Sequence, residues 1–151
     1  SETLIQFPNL LFQIDFKTDE VVDPALNVIH ELNVMDRVCI ASFSSNRLNK
    51  VRSLNSELCI SMGPNEVLQT FLSSWNLHKG EIVGDCLQIP IRYYGLKIVT
   101  KRFVDFVHSK GLKIMVWTIN DIKTFKYLID LGVDGIITDT PKLLFETLDT
   151  S

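Results

Sequence analysis

The chain has 151 residues, 46% of them hydrophobic and 22% charged, with a net charge of −3. That is enough for one domain with a real core, residues 1–151. The lack of a basic run excludes the footprint of a nucleic-acid binder, and no stretch of about 20 apolar residues exists to span a membrane. No basic segment leads into an apolar one at the N-terminus, so no signal peptide is expected. A start at Ser1 instead of Met is compatible with a processed or truncated chain.

In chain order, strands are predicted to begin near Leu11, Arg37, Leu58, Cys86, Lys113 and Asp134, at successive offsets of 26, 21, 28, 27 and 21 residues. The gaps mostly carry helical patterns, which argues for parallel βαβ units. Asp23-Pro24 reads as an N-cap followed by Pro at the first helical position, with Ala25, Val28, Ile29 and Leu32 facing inward. Ser45 to Leu54 is a more polar helix. Gly63-Pro64 starts another, with Val67, Leu68, Phe71, Leu72 and Trp75 on its apolar side. Asn76 to Asp85 is the loosest region. Thr100 caps a helix over Lys101–Lys110 that turns Phe103, Phe106 and Val107 inward and ends at Gly111 in a left-handed turn. Asp121 caps Ile122–Leu131, which ends at Gly132. Thr140-Pro141 opens the last helix, which runs through Leu148.

Six such units fit two architectures. One is a (β/α)8 TIM-type barrel that is incomplete in this chain, and the other is a doubly wound open parallel sheet. A full barrel typically needs about 250 residues, and periodicity alone does not choose between the two.

Within Leu11–Lys17, alternation puts Phe12, Ile14 and Phe16 on one face and Gln13, Asp15 and Lys17 on the other. A doubly covered parallel strand is normally apolar on both faces. The polar stripe is therefore either a solvated edge or a site at the carboxyl end of the strand. In such a site Asp15 suits a hard cation and Lys17 a phosphate oxygen. In Lys113–Asn120, Trp117 sits near the end of a strand, where barrel substrates bind, and equally suits a core position. Asn120-Asp121 reads as a helix start. Gly132–Asp139 holds two glycines but no phosphate-binding pattern, and Gly132 reads as a helix C-cap. His30 and His108 fall on the polar sides of helices and His78 in the loose loop. None of the three ends a strand, where general acid–base chemistry on an ester would need it. No GxSxG, HExxH or CxxC is present. Cys39, Cys59 and Cys86 lie in separate apolar runs. Their odd number and wide spacing match no metal motif and predict buried, reduced thiols in a reducing compartment, the cytoplasm.

The pieces FQIDFK (Phe12–Lys17), DRVCIASFSSNRLNKVR (Asp36–Arg52), GLKIMVWTIND (Gly111–Asp121) and LGVDGIITDTP (Leu131–Pro141), in this order and spacing, resemble the glycerophosphodiester phosphodiesterase family from Leu4 to Leu148. The resemblance implies a (β/α)8 barrel that hydrolyses glycerophosphodiesters to glycerol phosphate and an alcohol with a divalent cation, Ca²⁺ or Mg²⁺, held by carboxylates. Asp15 matches a metal-ligating position that is usually Glu. Lys17 matches a lysine at the phosphate, and Phe43 and Trp117 match aromatics lining the substrate cleft. The family's His-Arg-Gly motif, two further acids and second His have no counterpart here, so the chain corresponds to strands 3–8 of such a barrel. Its edges at Leu11–Lys17 and Asp134–Thr138 are then expected to be covered by a preceding segment or a second chain. The chain alone is expected to be inactive. The alternatives are a degenerate barrel that binds phosphodiesters without turnover, and an unrelated doubly wound small-molecule binder.

Overall fold

The strand over Phe12–Asp15 (β1) buries Phe12 and Ile14 partly and exposes Gln13 and Asp15, and Phe16 just beyond it is fully buried. This is the alternation that the sequence predicts. The computed structural model of the chain describes residues 1–93 and 95–149. It divides into two units, Ser1–Glu66 with Val83–Asp85, and Val67–Ile82 with the chain from Cys86 onward.

In the first unit, a short helix α1 (Glu2–Gln6) precedes β1 and is followed by α2 (Val22–Glu31), a 3-10 turn at Met35–Arg37, β2 (Val38–Ala41), α3 (Ser45–Leu54) and β3 (Cys59–Ile60). The strands form one parallel sheet in the order β1-β2-β3, with Phe12 opposite Val38, Asp15 opposite Ala41 and Cys39 opposite Cys59. Phe16, Ile29, Val38, Ile40, Leu48, Val51, Leu58 and Ile60 make the core between one face of this sheet and its helices, with Ala25, Val28 and Leu32 packed at its margin.

The first turn of α2 corrects one expectation. The helix starts two residues earlier than predicted, with Val21 as its N-cap, so Asp23 and Pro24 lie inside the first turn. Pro is still tolerated there because the first four N–H groups of a helix have no intrahelical acceptor. Asp23, freed from capping, pairs with Lys50 on α3 at 2.8 Å.

The second unit holds most of α4 (Pro64–Ser73), β4 (Cys86–Pro90), the strands β5 (Arg92–Tyr93) and β6 (Leu96–Lys97), α5 (Lys101–Ser109), β7 (Lys113–Trp117), α6 (Ile122–Leu131), β8 (Gly135–Ile136) and α7 (Pro141–Asp149). Its main sheet is parallel, in the order β4-β7-β8. Leu87, Ile89, Val99, Phe103, Val104, Val107, Ile114, Val116, Phe125 and Leu128 are buried in it. β5 and β6 form an antiparallel hairpin that the sequence reading passed over.

The caps at Thr100, Asp121, Gly111 and Gly132 are where they were predicted. The Thr100 and Asp121 side chains accept from the Phe103 and Thr124 amides, and Gly111 and Gly132 hold φ of +72° and +78°. The apolar face of α4 is a second correction. Thr70 and Ser73 are its buried residues, while Leu68 and Trp75 are exposed. Trp75 is covered instead by Arg102, whose guanidinium lies 4.0 Å over its ring and donates Nε and Nη2 to the Ser74 carbonyl.

Among the described residues, β1 pairs with β2 alone and β8 with β7 alone. No helix among them is long and apolar enough to cross a membrane.

Candidate active site

At the carboxyl end of β1 the chain carries Asp15, Phe16 and Lys17 on alternating faces. Phe16 anchors the segment in the core, and its flanking residues are left to project the other way. Lys17 Nζ donates to Asp15 Oδ2 at 2.5 Å and lies 5.6 Å from the centroid of the Phe43 ring. The Lys17 side chain is 72% exposed, and Phe43 is 68% exposed. The three groups form an open acid–base–aromatic triad, in which the ring's negative face adds to the attraction on the ammonium.

The loop after β2 is pinned to the loop after β1. Ser42, buried, donates its hydroxyl to the Phe16 carbonyl oxygen at 2.8 Å. Arg47, in the first turn of α3, donates Nη1 to the same carbonyl at 2.8 Å and to Ser42 Oγ at 2.9 Å. Arg47 Nε pairs with Asp19 Oδ1 at 2.7 Å. Ser44 caps α3 by accepting from the Arg47 amide. The cap and the guanidinium together fix where Phe43 stands relative to Lys17.

Of the predicted site residues, Asp15, Lys17 and Phe43 come together in the first unit. Arg47 and Ser42 were not singled out. Arg47 sits in a helix that reads as solvated, and nothing in its spacing shows that its side chain is only 12% exposed. Among the described residues, no three-ligand cluster of carboxylates or histidines includes Asp15. It offers one carboxylate, whereas Ca²⁺ takes about six to eight oxygens.

Trp117 belongs to the second unit, as the last residue of β7. It is half-buried, opposite Pro90 and on the face of Met115. Past it, Asn120 is a loop clamp. Its Oδ1 accepts from Thr138 Oγ1 at 3.0 Å and the Asp139 amide at 2.9 Å, and its Nδ2 donates to Asp139 Oδ2 at 3.0 Å. Asp121 is the helix start that was expected, and the Thr124 amide and hydroxyl hold its carboxyl below the usual range.

At the opposite, amino ends of β7 and β8, Asp134 accepts from Lys113 Nζ at 2.8 Å, the Ile114 amide at 2.9 Å and His108 Nε2 at 2.9 Å. Burial disfavours its charge, but these three donors outweigh burial and hold the carboxyl below its ordinary value. His108 is thereby a structural partner, His30 is exposed on α2, and His78 is in the loop before β4.

The sequence model of the Glycerophosphoryl diester phosphodiesterase family matches residues 1–143. The chain is 30% identical over 156 residues to a Mycobacterium tuberculosis protein named "Probable glycerophosphodiester phosphodiesterase 2", covering 97% of this chain and 58% of that protein. Among solved structures it is similar to a glycerophosphodiester phosphodiesterase from Parabacteroides distasonis, with a TM-score of 0.72, 18% identity, and coverage of 99% of this chain and 61% of that one. It is also similar to a phosphodiesterase from Oleispira antarctica in complex with the product sn-glycerol-3-phosphate, with a TM-score of 0.65, 18% identity, and coverage of 87% and 50%. The chain thus spans between 50% and 61% of the length of these relatives. The structural likeness and the parallel sheets establish a TIM-barrel-type α/β fold, and the extended match makes this chain a member of the glycerophosphoryl diester phosphodiesterase family.

Proposed function

We propose that this chain is the C-terminal part, strands 3–8, of a barrel that hydrolyses glycerophosphodiesters to glycerol phosphate and an alcohol. The observation that carries the reading is the triad at the end of β1, with Lys17 and Asp15 joined and Phe43 standing over the ammonium. Lys17, exposed on a long stem, swings from Asp15 to a phosphodiester oxygen and neutralises it. In the first unit Phe43 supplies apolar contact to the substrate, and the family resemblance gives Trp117 of the second unit a like role. Asp15 contributes one oxygen ligand to a divalent cation, Ca²⁺ or Mg²⁺. Such an ion supplies Lewis-acid polarisation of the phosphoryl group when bound. One carboxylate does not complete its shell, so further ligands come from residues outside this chain, and the same holds for the general acid and base. The 151 residues alone are then inactive.

A second reading, binding without turnover, draws on one observation. His108 is held by Asp134 at the amino ends of β7 and β8, not at the carboxyl end of a strand. Phosphorus NMR of glycerophosphocholine with Ca²⁺ or Mg²⁺ separates the readings. Metal-dependent release of glycerol phosphate by the protein that includes a preceding barrel segment, and none by the 151 residues, supports the first. Binding without release by that longer protein supports the second. Turnover by a homogeneous preparation of the 151 residues overturns both.

A further inference from the structure

Cys39 and Cys59 stand 20 positions apart in the sequence and side by side in the fold. The parallel register sets Gln13, Cys39 and Cys59 in one row across β1, β2 and β3. Their chain neighbours Val38, Ile40, Leu58 and Ile60 fill the core, so alternation turns the row to the other face of the sheet. Both cysteines are half-buried thiols, and their sulfur atoms lie within 4.8 Å of each other. We propose that this pair is a binding site for a soft, two-coordinate metal ion of the copper(I) class.

Thiolate sulfur selects soft ions over Ca²⁺ and Mg²⁺. Two metal–sulfur bonds of about 2.3 Å each span about 4.6 Å when collinear, so the sulfurs close on one ion with little side-chain rotation. Copper(I) is satisfied by two thiolates. On binding, each thiol loses its proton and forms one Cu–S bond. Two protons are released and no electron moves. The weak contact of Cys39 Sγ with the Ile40 carbonyl, 4.0 Å long, is given up in the process. The site is independent of the phosphodiesterase reading.

The test uses the Cys86→Ser protein, which retains these two thiols, titrated anaerobically with copper(I) in bicinchoninate under ascorbate. The expected result is withdrawal of one copper(I) per protein, protection of both thiols from a disulfide reagent and release of two protons. Adding Cys39→Ser or Cys59→Ser lowers the affinity at least a hundred-fold. No copper withdrawn, thiols that still react after one equivalent, or undiminished binding by either added serine overturns the proposal. If a serine variant fails to fold, X-ray absorption of the copper-loaded Cys86→Ser protein decides. Two sulfur neighbours support the pair, and a shell with fewer than two overturns it.

Discussion

Arg47 donates Nη1 at 2.8 Å to the carbonyl of Phe16, the carbonyl of the peptide group whose nitrogen belongs to Lys17. The guanidinium therefore sets the orientation of the peptide plane from which Lys17 departs. Replacing Arg47 with Ala removes this bond and the Asp19 pair. The loss is expected to cost about 1–3 kcal/mol of stability by urea denaturation. It is also expected to lower kcat/KM of the longer protein by about ten- to a hundred-fold, the scale of a slightly misplaced binding group. Arg47→Lys retains one donor of the fork and restores part of both.

Lys17→Ala removes the positive charge from the open end of β1. Turnover of glycerophosphocholine by the longer protein is expected to fall by about 10²-fold or more, the scale of losing one preorganised charge partner. Lys17→Arg keeps the charge and loses less. If Asp15 ligates the proposed cation, Asp15→Asn is expected to raise the concentration of Ca²⁺ or Mg²⁺ needed for half-maximal rate. Full activity with both Lys17→Ala and Asp15→Asn would remove these residues from the site.

Asp134 has its folded pKa below the unfolded one because Lys113, the Ile114 amide and His108 outweigh burial. Its contribution to stability is fully present above the unfolded carboxylate value of about 3.9 and is lost as pH falls through the folded value. Asp134→Asn should cost about 1–3 kcal/mol at pH 7. The gap between wild type and variant should narrow as pH drops below about 4, as read from urea midpoints at pH 7 and pH 3. A gap that stays constant across that range would show that the charge is not what stabilises.

Two glycines separate conformational strain from crowding. Gly132 has φ of +78° and nothing within 4 Å of an added Cβ, so Gly132→Ala is expected to cost about 1 kcal/mol from the backbone alone. Gly135 has an ordinary φ, but an added Cβ would stand 2.7 Å from Cγ of Met115, its neighbour in the register. Gly135→Ala is expected to cost about 1–3 kcal/mol by overpacking, and Met115→Ala in the same chain to recover part of it. Thermal melts of the three variants check both.

The six parallel strands and most helix ends were legible because each has a local cause, such as apolar alternation in Phe12–Phe16, the caps at Thr100 and Asp121, and the left-handed turns at Gly111 and Gly132. The misses have tertiary causes. Asp23 looked like a cap because Asp-Pro is a common cap signature, yet its carboxylate is drawn to Lys50 on another helix. Trp75 looked like core because of its spacing, and a cation from a distant helix covers it instead. The hairpin at Arg92–Lys97 is two residues per strand, too short for a period. At the site, Asp15 and Lys17 were visible as polar residues on a strand. The burial of Arg47 and the register of Cys39 with Cys59 depend on pairings across 20 or more residues, which one-dimensional spacing does not carry.

A hydroxyl has one proton to give and two lone pairs to accept with. In Ser42 the proton goes to the Phe16 carbonyl, and the lone pairs take Arg47 Nη1 and the Ser44 amide at 3.2 Å. Its valence is saturated, so it is neither a latent nucleophile nor a ligand for an incoming phosphate. At Ser42 serine chemistry is closed, and its hydroxyl serves only to tie the loop after β2 to the end of β1.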